Sequence, residues 1–369
     1  MNLPFLRALA HDRFLHLLII IAVVLSFFVP FAPGGWPAAI DWHTIITLSG
    51  LMLLTKGVEQ SGCFDVLGRK MARRFVTVRQ LALFMVLAAA LLSTFLTNDV
   101  ALFIVVPLTL TLKKWCEIPV NRLIIFEALA VNAGSLLTPI GNPQNILLWG
   151  RSGLSFPAFT WQMLPLALSM MATLLVLCWL CFPAQTLHFR SGDKTPQWQR
   201  RLVWSCLAFY LVFLVALETK QELWGLGILL VGFLVVARSV VLKVDWSLLL
   251  VFIAMFIDVH LLTGLPVLHG LLDRVDGLTP LQLWLTAIGL SQVISNVPAT
   301  ILLLNYVPPT TLLAWAVNVG GFGLLPGSLA NLIALRMAGN RRIWWRFHLY
   351  SLPLLVWAAL VGYGLLLVS

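Results

Sequence analysis

Apolar runs of roughly twenty residues recur along the whole chain, separated by short polar loops. Each is long enough to cross a hydrocarbon core about 30 Å thick. They predict spanning helices over 14–33, 42–61, 121–150, 160–183, 201–218, 223–241, 246–263, 311–339 and 347–368. Two further apolar segments, 80–112 and 280–307, are interrupted near their middles by Thr97-Asn98-Asp99 and Ser295-Asn296. The last arm of the second, 299–307, would be only about 13 Å long as a helix, too short to cross. Both segments are therefore expected to be re-entrant hairpins that turn back near mid-membrane. Irregular backbone is tolerated there only when it is buried in protein or lines an aqueous cavity. The expected fold class is an all-α polytopic membrane protein.

Composition agrees with the pattern. The 369 residues are 60% hydrophobic and 10% charged, against about 25% charged in a soluble domain. The polar stretch near 187–201 is only a loop. A net charge of +10 would suit nucleic acid, but the basic residues fall in short loops between spans, where they set orientation. No nucleic-acid partner is expected; membrane lipid is. One set of loops holds Arg7, Arg13, Arg69, Lys70, Arg73, Arg74, Lys113, Lys114, Arg190, Lys194, Arg238, Lys243, Arg341 and Arg346, while the other holds only Arg151, Lys220 and Arg274. The richer set belongs in the cytoplasm, which puts the N-terminus inside and the C-terminus outside. The expected location is a bacterial inner membrane, crossed several times, with an uncleaved first helix. The five cysteines form no disulfide framework, and Cys178-x-x-Cys181 reads as small packing residues in an apolar helix.

The two halves of the chain share ordered motifs. Asp41-Trp42 matches Asp245-Trp246, and Ser93 to Ala101 lines up with Ser291 to Ala299. Ala130-Val131-Asn132-Ala133-Gly134 matches Ala316-Val317-Asn318-Val319-Gly320. Pro139-Ile140-Gly141-Asn142-Pro143-Gln144-Asn145 resembles Leu325-Pro326-Gly327-Ser328-Leu329-Ala330-Asn331. Similarity among apolar helices explains matching Leu and Ala but not matching Asn. The charge pattern starts the Asp41 helix outside and the Asp245 helix inside, so the repeats are expected to be inverted. The first repeat covers 1–185, with hairpin 80–112 and broken helix 121–150. A linker and connecting helix cover 186–222. The second repeat covers 223–369, with hairpin 280–307 and broken helix 311–339. Inverted repeats with broken helices are a hallmark of secondary transporters.

Thr97-Asn98-Asp99 with Pro107, the Gly141-Asn142-Pro143-Gln144-Asn145 run, and Val58 to Phe64 resemble the ion transporter superfamily, most closely its arsenite-pump and citrate-metal branch. The resemblance covers nearly the whole chain and says little about the substrate. It implies alternating access by hairpins and broken helices that move against a scaffold. It also implies one half-site from Thr97, Asn98, Asp99, Gly141, Asn142 and Asn145. The other half-site would be Ser295, Asn296, Thr300, Gly327, Ser328 and Asn331. Asn132, Asn318, Lys56 and Glu59 are read as supporting residues.

Polar residues are costly in hydrocarbon, so such a cluster points to a site. Helix N-termini favour an anion or a polarised oxygen. Carboxylates and unwound carbonyls suit Na⁺ or a proton. Asp99 faces Val297 in the repeat alignment, so it is the lone acid of the site and the natural carrier of one coupling ion. Na⁺ near Asn98, Asp99 and Asn142, or H⁺, is the expected coupling ion, with no resident metal or cofactor. The plainer reading of each Asn is a helix-break cap, and of Lys56 with Glu59 a local ion pair. HExxH, P-loop and GxSxG motifs are absent, so an enzyme is not expected. A small solute, anion or oxyacid, is the expected substrate. A cation/proton antiporter, a passive channel and a homodimeric assembly stay open.

Overall fold

The computed structural model describes residues 12–29, 33–188, 198–219, 221–267, 277–340 and 342–368. Arg7, Arg190, Lys194, Lys220, Arg274 and Arg341, used above to orient the chain, lie outside them. Helices α1 to α4 are Arg13–Leu25, Trp42–Gln60, Cys63–Arg74 and Val78–Phe95. Helices α5 to α8 are Asn98–Trp115, Val120–Ser135, Pro143–Ser152 and Phe156–Cys181. Helices α9 to α12 are Arg200–Glu218, Glu222–Val236, Arg238–Lys243 and Trp246–Thr263. Helices α13 to α17 are Pro280–Ile294, Asn296–Leu303, Thr311–Val319, Leu329–Met337 and Arg342–Val368. Among the described residues, extended pairing is limited to one bridge, Thr77 with Thr186. Among the described residues, five helices (α4, α8, α9, α12 and α17) are long and apolar enough to cross a membrane.

The chain forms two compact units. One holds Met1–Val66 and Pro196–Leu272; the other holds Leu67–Thr195 and Asp273–Ser369. Each unit therefore takes segments from both halves of the sequence.

In the first unit the Asp-Trp motif opens two helices, and its Trp makes the same backward bond in both while only Asp41 caps its helix. Asp41 caps α2 by accepting the Thr44 N–H at 3.2 Å, which satisfies an orphan donor of the first turn. Trp42 then reaches back to donate to Pro37 O at 2.8 Å. Asp245 precedes α12, and Trp246 donates to Val241 O at 3.0 Å. Small residues on α2 let aromatic rings approach closely, as membrane helix interfaces favour. A Cβ on Gly50 would fall 2.2 Å from the Phe213 ring, and one on Gly57 would fall 2.8 Å from Phe233. His43 and Glu222 meet at 3.1 Å. Gln60 donates to Ser239 O at 3.1 Å and accepts from the Ser239 hydroxyl at 2.6 Å. Helix α1 ends at Leu25, short of the expected 14–33. The residue before Pro30 disfavours helix, and Phe27 and Phe28 already turn with bonds to Val24 O and Leu25 O. The expected span 223–241 likewise breaks at Ala237, whose φ −156 and ψ 75 separate α10 from α11.

In the second unit both hairpins open with a capping box, Thr77 with Gln80 on α4 and Thr279 with Gln282 on α13. The reciprocal bonds satisfy two donors at each helix start. The arms of the first hairpin have 18 residues each, those of the second 15 and 8. Close helix approach repeats as well. A Cβ on Gly134 would fall 2.1 Å from Ala90 O, and one on Gly320 would fall 2.3 Å from Ser291 Cβ. Gly134→Ala is expected to cost about 1–3 kcal/mol by forcing α4 and α6 apart. Thermal unfolding of the detergent-solubilised protein checks it; an unchanged midpoint would show that the backbones yield freely.

Candidate functional site

The site lies within the second unit, where two broken helices and two hairpin turns come together. The first break, 136–142, separates α6 from α7. Asn145 Nδ2 donates to Leu136 O at 3.0 Å and Thr138 O at 2.9 Å. Asn142 caps α7 by accepting the Asn145 N–H at 2.8 Å. The second break, between α15 and α16, contains two 3-10 turns, Gly320–Phe322 and Leu325–Gly327. There Asn331 Nδ2 donates to Gly321 O at 2.9 Å. One asparagine just past each break thus bonds backbone carbonyls that the interrupted helix leaves free, two at Asn145 and one at Asn331.

The breaks are clasped crosswise. Asn132, on α6 of the first half, donates to Asn331 Oδ1 at 2.8 Å and accepts from the Ser328 hydroxyl at 2.9 Å. Asn318, on α15 of the second half, donates to Asn145 Oδ1 at 2.8 Å and accepts from Asn142 Nδ2 at 3.0 Å. The two clasps obey one pattern: 132 holds 328 and 331, and 318 holds 142 and 145. All six side chains are buried. A neutral amide can donate and accept at once, which explains why asparagine serves at these positions.

Each hairpin turn meets the break of its own half. Asn98 N donates to Gly141 O at 2.9 Å. A Cβ on Gly321 would lie 3.4 Å from Asn296 Nδ2 and 3.6 Å from Ser328 Cβ. Glycine is needed at Gly141, where a Cβ would fall 2.1 Å from Ser135 O, and at Gly327, where it would fall 2.6 Å from Gly320 O. Helix α5 also packs on α16 of the other half, and α14 on α7. Arg151 at the end of α7 donates to Leu304 O at 3.0 Å, just past α14.

Four of the expected residues, two of them supporting, lie outside the clasps. Thr300 donates its hydroxyl to Asn296 O at 2.7 Å, one turn earlier in its own helix. Lys56 and Glu59 pair with each other at 2.9 Å on α2, in the first unit rather than the one that holds the asparagines. Thr97 precedes α5 without a side-chain capping bond.

Ser295 has φ 72 and ψ 156 and is the only described non-glycine residue with positive φ. That region is essentially reserved for glycine, and holding another residue there costs of order 1–3 kcal/mol. Ser295→Gly is expected to raise stability by about 1 kcal/mol while loosening the turn, as read by thermal unfolding. A lower unfolding midpoint would contradict it.

Several participants carry no obvious repeat signal. Gln144 Nε2 donates to Asn318 Oδ1 at 3.3 Å. Gln292 donates to Gly320 O at 2.7 Å and accepts from Leu324 N at 2.6 Å. Thr94 occupies the matching place in the first half, donating to Gly134 O at 3.1 Å. His348 Nδ1 lies 2.8 Å from Trp344 O, so it carries the hydrogen, and Nε2 accepts from Leu325 N at 3.3 Å. Glu127 is fully buried on α6 and accepts from the Thr109 hydroxyl.

The atoms left over decide the chemistry. At the first turn Asp99 Oδ1 and Gln144 Oε1 are buried without a hydrogen-bond partner among the described residues, as is Glu127 Oε2 on α6. Asp99 adjoins Asn98, and Gln144 lies three residues beyond Gly141, so both flank the Asn98–Gly141 contact. Both are acceptors. No Lys or Arg belongs to either clasp. The arrangement is suited to a cation or to an uncharged molecule with O–H groups to donate.

Residues 9–309 match the model of CitMHS, described as a citrate transporter. The chain is 76% identical to inner membrane protein YbiR of Escherichia coli K12, over 100% of this chain and 99% of that protein. It is 32% identical to an uncharacterised transporter of Methanocaldococcus jannaschii, over 82% and 83% of the two chains. A shorter match, 32% identical over 38% of this chain and 30% of the relative, is to a silicon efflux transporter of rice.

Proposed function

We propose, from the premise that this chain belongs to the CitMHS citrate-transporter family, that it is a secondary active transporter of a small oxyacid driven by H⁺ or Na⁺. The observation that carries this reading is the crossed asparagine clasp, with the partnerless acceptors Asp99 Oδ1 and Gln144 Oε1 beside it. A solute held at the hairpin turns would touch both halves at once, as alternating access about a fixed site requires. At the starts of α5 and α7 the N–H groups of Val100 and Gln144 are left for an oxygen of the solute, Gln144 Oε1 takes one of its O–H hydrogens, and Asp99 Oδ1 is left to the coupling ion.

Within this family two solute types compete. A citrate-like carboxylate would need cationic partners or a bound cation, and neither clasp contains a basic side chain. An uncharged oxyacid matches the open acceptors, and the rice relative is named for silicon. A second reading, cation/proton antiport, is favoured by Asp99 alone. The N-terminus is assigned to the cytoplasm and the C-terminus to the periplasm on the charge pattern, with the two halves inverted.

The test is a thermal-shift screen of the purified protein against silicic acid, arsenite, citrate and citrate with Mg²⁺, each with and without Na⁺ and at several pH values. Proteoliposome flux then follows any hit. Saturable counterflow of an uncharged oxyacid is expected. Movement of Na⁺ or H⁺ with no response to any acid would favour the antiporter instead. Non-saturating flux without counterflow would indicate a channel.

A further inference from the structure

A groove of ≈ 620 Å³ runs along the second unit between α8 and α17, with no clasp residue in its lining. Its walls include Val176 and Leu177 of α8 and Leu349, Pro353 and Leu354 of α17. One end is closed by Trp357, which donates to Thr173 Oγ1 at 3.0 Å. The other end is marked by Tyr350, whose ring lies 5.3 Å from Phe126; Phe126 in turn lies 5.4 Å from Phe182.

Basic side chains gather at that second end. Arg346 is exposed and precedes Leu349, Tyr350 and Pro353 by three, four and seven residues. It therefore extends the groove-lining face of α17. At the matching end of α8, Arg79 donates to Phe182 O at 2.9 Å and Arg122 donates to Cys181 O at 2.5 Å. The Arg122 guanidinium also lies 5.9 Å from the Phe182 ring centre.

We propose that this groove binds one anionic phospholipid, with an acyl chain in the slot and its phosphate on Arg346. The slot is apolar along its length, stopped by a hydrogen bond at one end and basic at the other. That profile fits a flexible chain with an acidic head. A second copy of this chain would have to insert a helix about 10 Å across and displace Trp357 from Thr173. Basic residues at a bilayer surface each attract acidic lipid by roughly 1 kcal/mol, so Arg346 gives the selectivity and the slot gives the residence.

The test uses the full chain in neutral detergent. Native mass spectrometry and thermal shift are measured with phosphatidylglycerol, with phosphatidylcholine of the same acyl chains, and with inorganic phosphate. One retained phosphatidylglycerol with a raised unfolding midpoint is expected, and no such effect from the other two. Arg346→Ala is expected to lower retention about fivefold, and Arg346→Lys less. Leu177→Trp, which fills the slot, should abolish retention. Equal retention of both lipids, competition by phosphate alone, or undiminished retention in the Arg346 variants would each overturn the proposal. Those variants decide the matter even if Leu177→Trp fails to fold.

Discussion

Asp99→Asn is expected to abolish gradient-driven accumulation while leaving the protein folded and able to exchange solute. Asp99 is the only carboxylate in either hairpin turn, since Val297 stands at its repeat position. Its Oδ1 is buried without a protein partner, and Asn98 Oδ1 already accepts the Asp99 N–H at 2.9 Å. The carboxylate thus spends nothing on holding the turn together. An amide of the same shape keeps the packing but offers neither a charge to Na⁺ nor an acid proton. In proteoliposomes the variant should show counterflow of the solute yet no accumulation under a pH or Na⁺ gradient. Accumulation at the wild-type level would remove Asp99 from coupling, and loss of counterflow as well would make it a solute ligand.

The second large effect is expected at Asn318. Its side chain accepts from Asn142 and Gln144 and donates to Asn145 and to Ala314 O at 2.8 Å. Asn318→Ala strands Asn145 Oδ1 and Gln144 Nε2 in a buried setting. Each orphaned group costs about 1–3 kcal/mol, so a loss of roughly 3 kcal/mol or more is expected. Asn318→Asp keeps the acceptor but loses the donor to Asn145, and should fall between. Asn132→Ala should produce a comparable loss, because it strands Asn331 Oδ1 and the Ser328 hydroxyl. Denaturant unfolding in mixed micelles measures all three. Losses below about 1 kcal/mol would mean that the clasp is not under tension from burial.

Much of the helical layout was readable in the chain because apolar period and caps are local. The Asp-Trp pairs and the breaks at Gly141 and Gly327 announce themselves within a few residues. The asparagine repeat was visible as a pattern of residue types. Its crossed pairing was not, because Asn132 and Asn331 are 199 residues apart and nothing local favours that partner over another. Gln144 lay inside a motif that was read for its asparagines, and Gln292 has a threonine, Thr94, as its counterpart. Identity matching therefore passes over both. Division into units was equally hidden: the repeats divide the chain once, whereas compactness gathers a piece of each half into each unit. Helix ends moved where backbone competition decides them, at Leu25 and at Ala237.

The crossed clasp also bears on biosynthesis. Asn142 and Asn145 enter the bilayer well before Asn318 has been translated, since 173 residues separate Asn145 from its partner. At about 5–20 residues per second, the nascent first half must wait on the order of 10–30 s with Asn145 Oδ1 and Gln144 Nε2 lacking their Asn318 partner in lipid. During that interval an insertase or chaperone would be needed to shelter it, and a chain truncated before Asn318 should be a target for quality-control proteolysis.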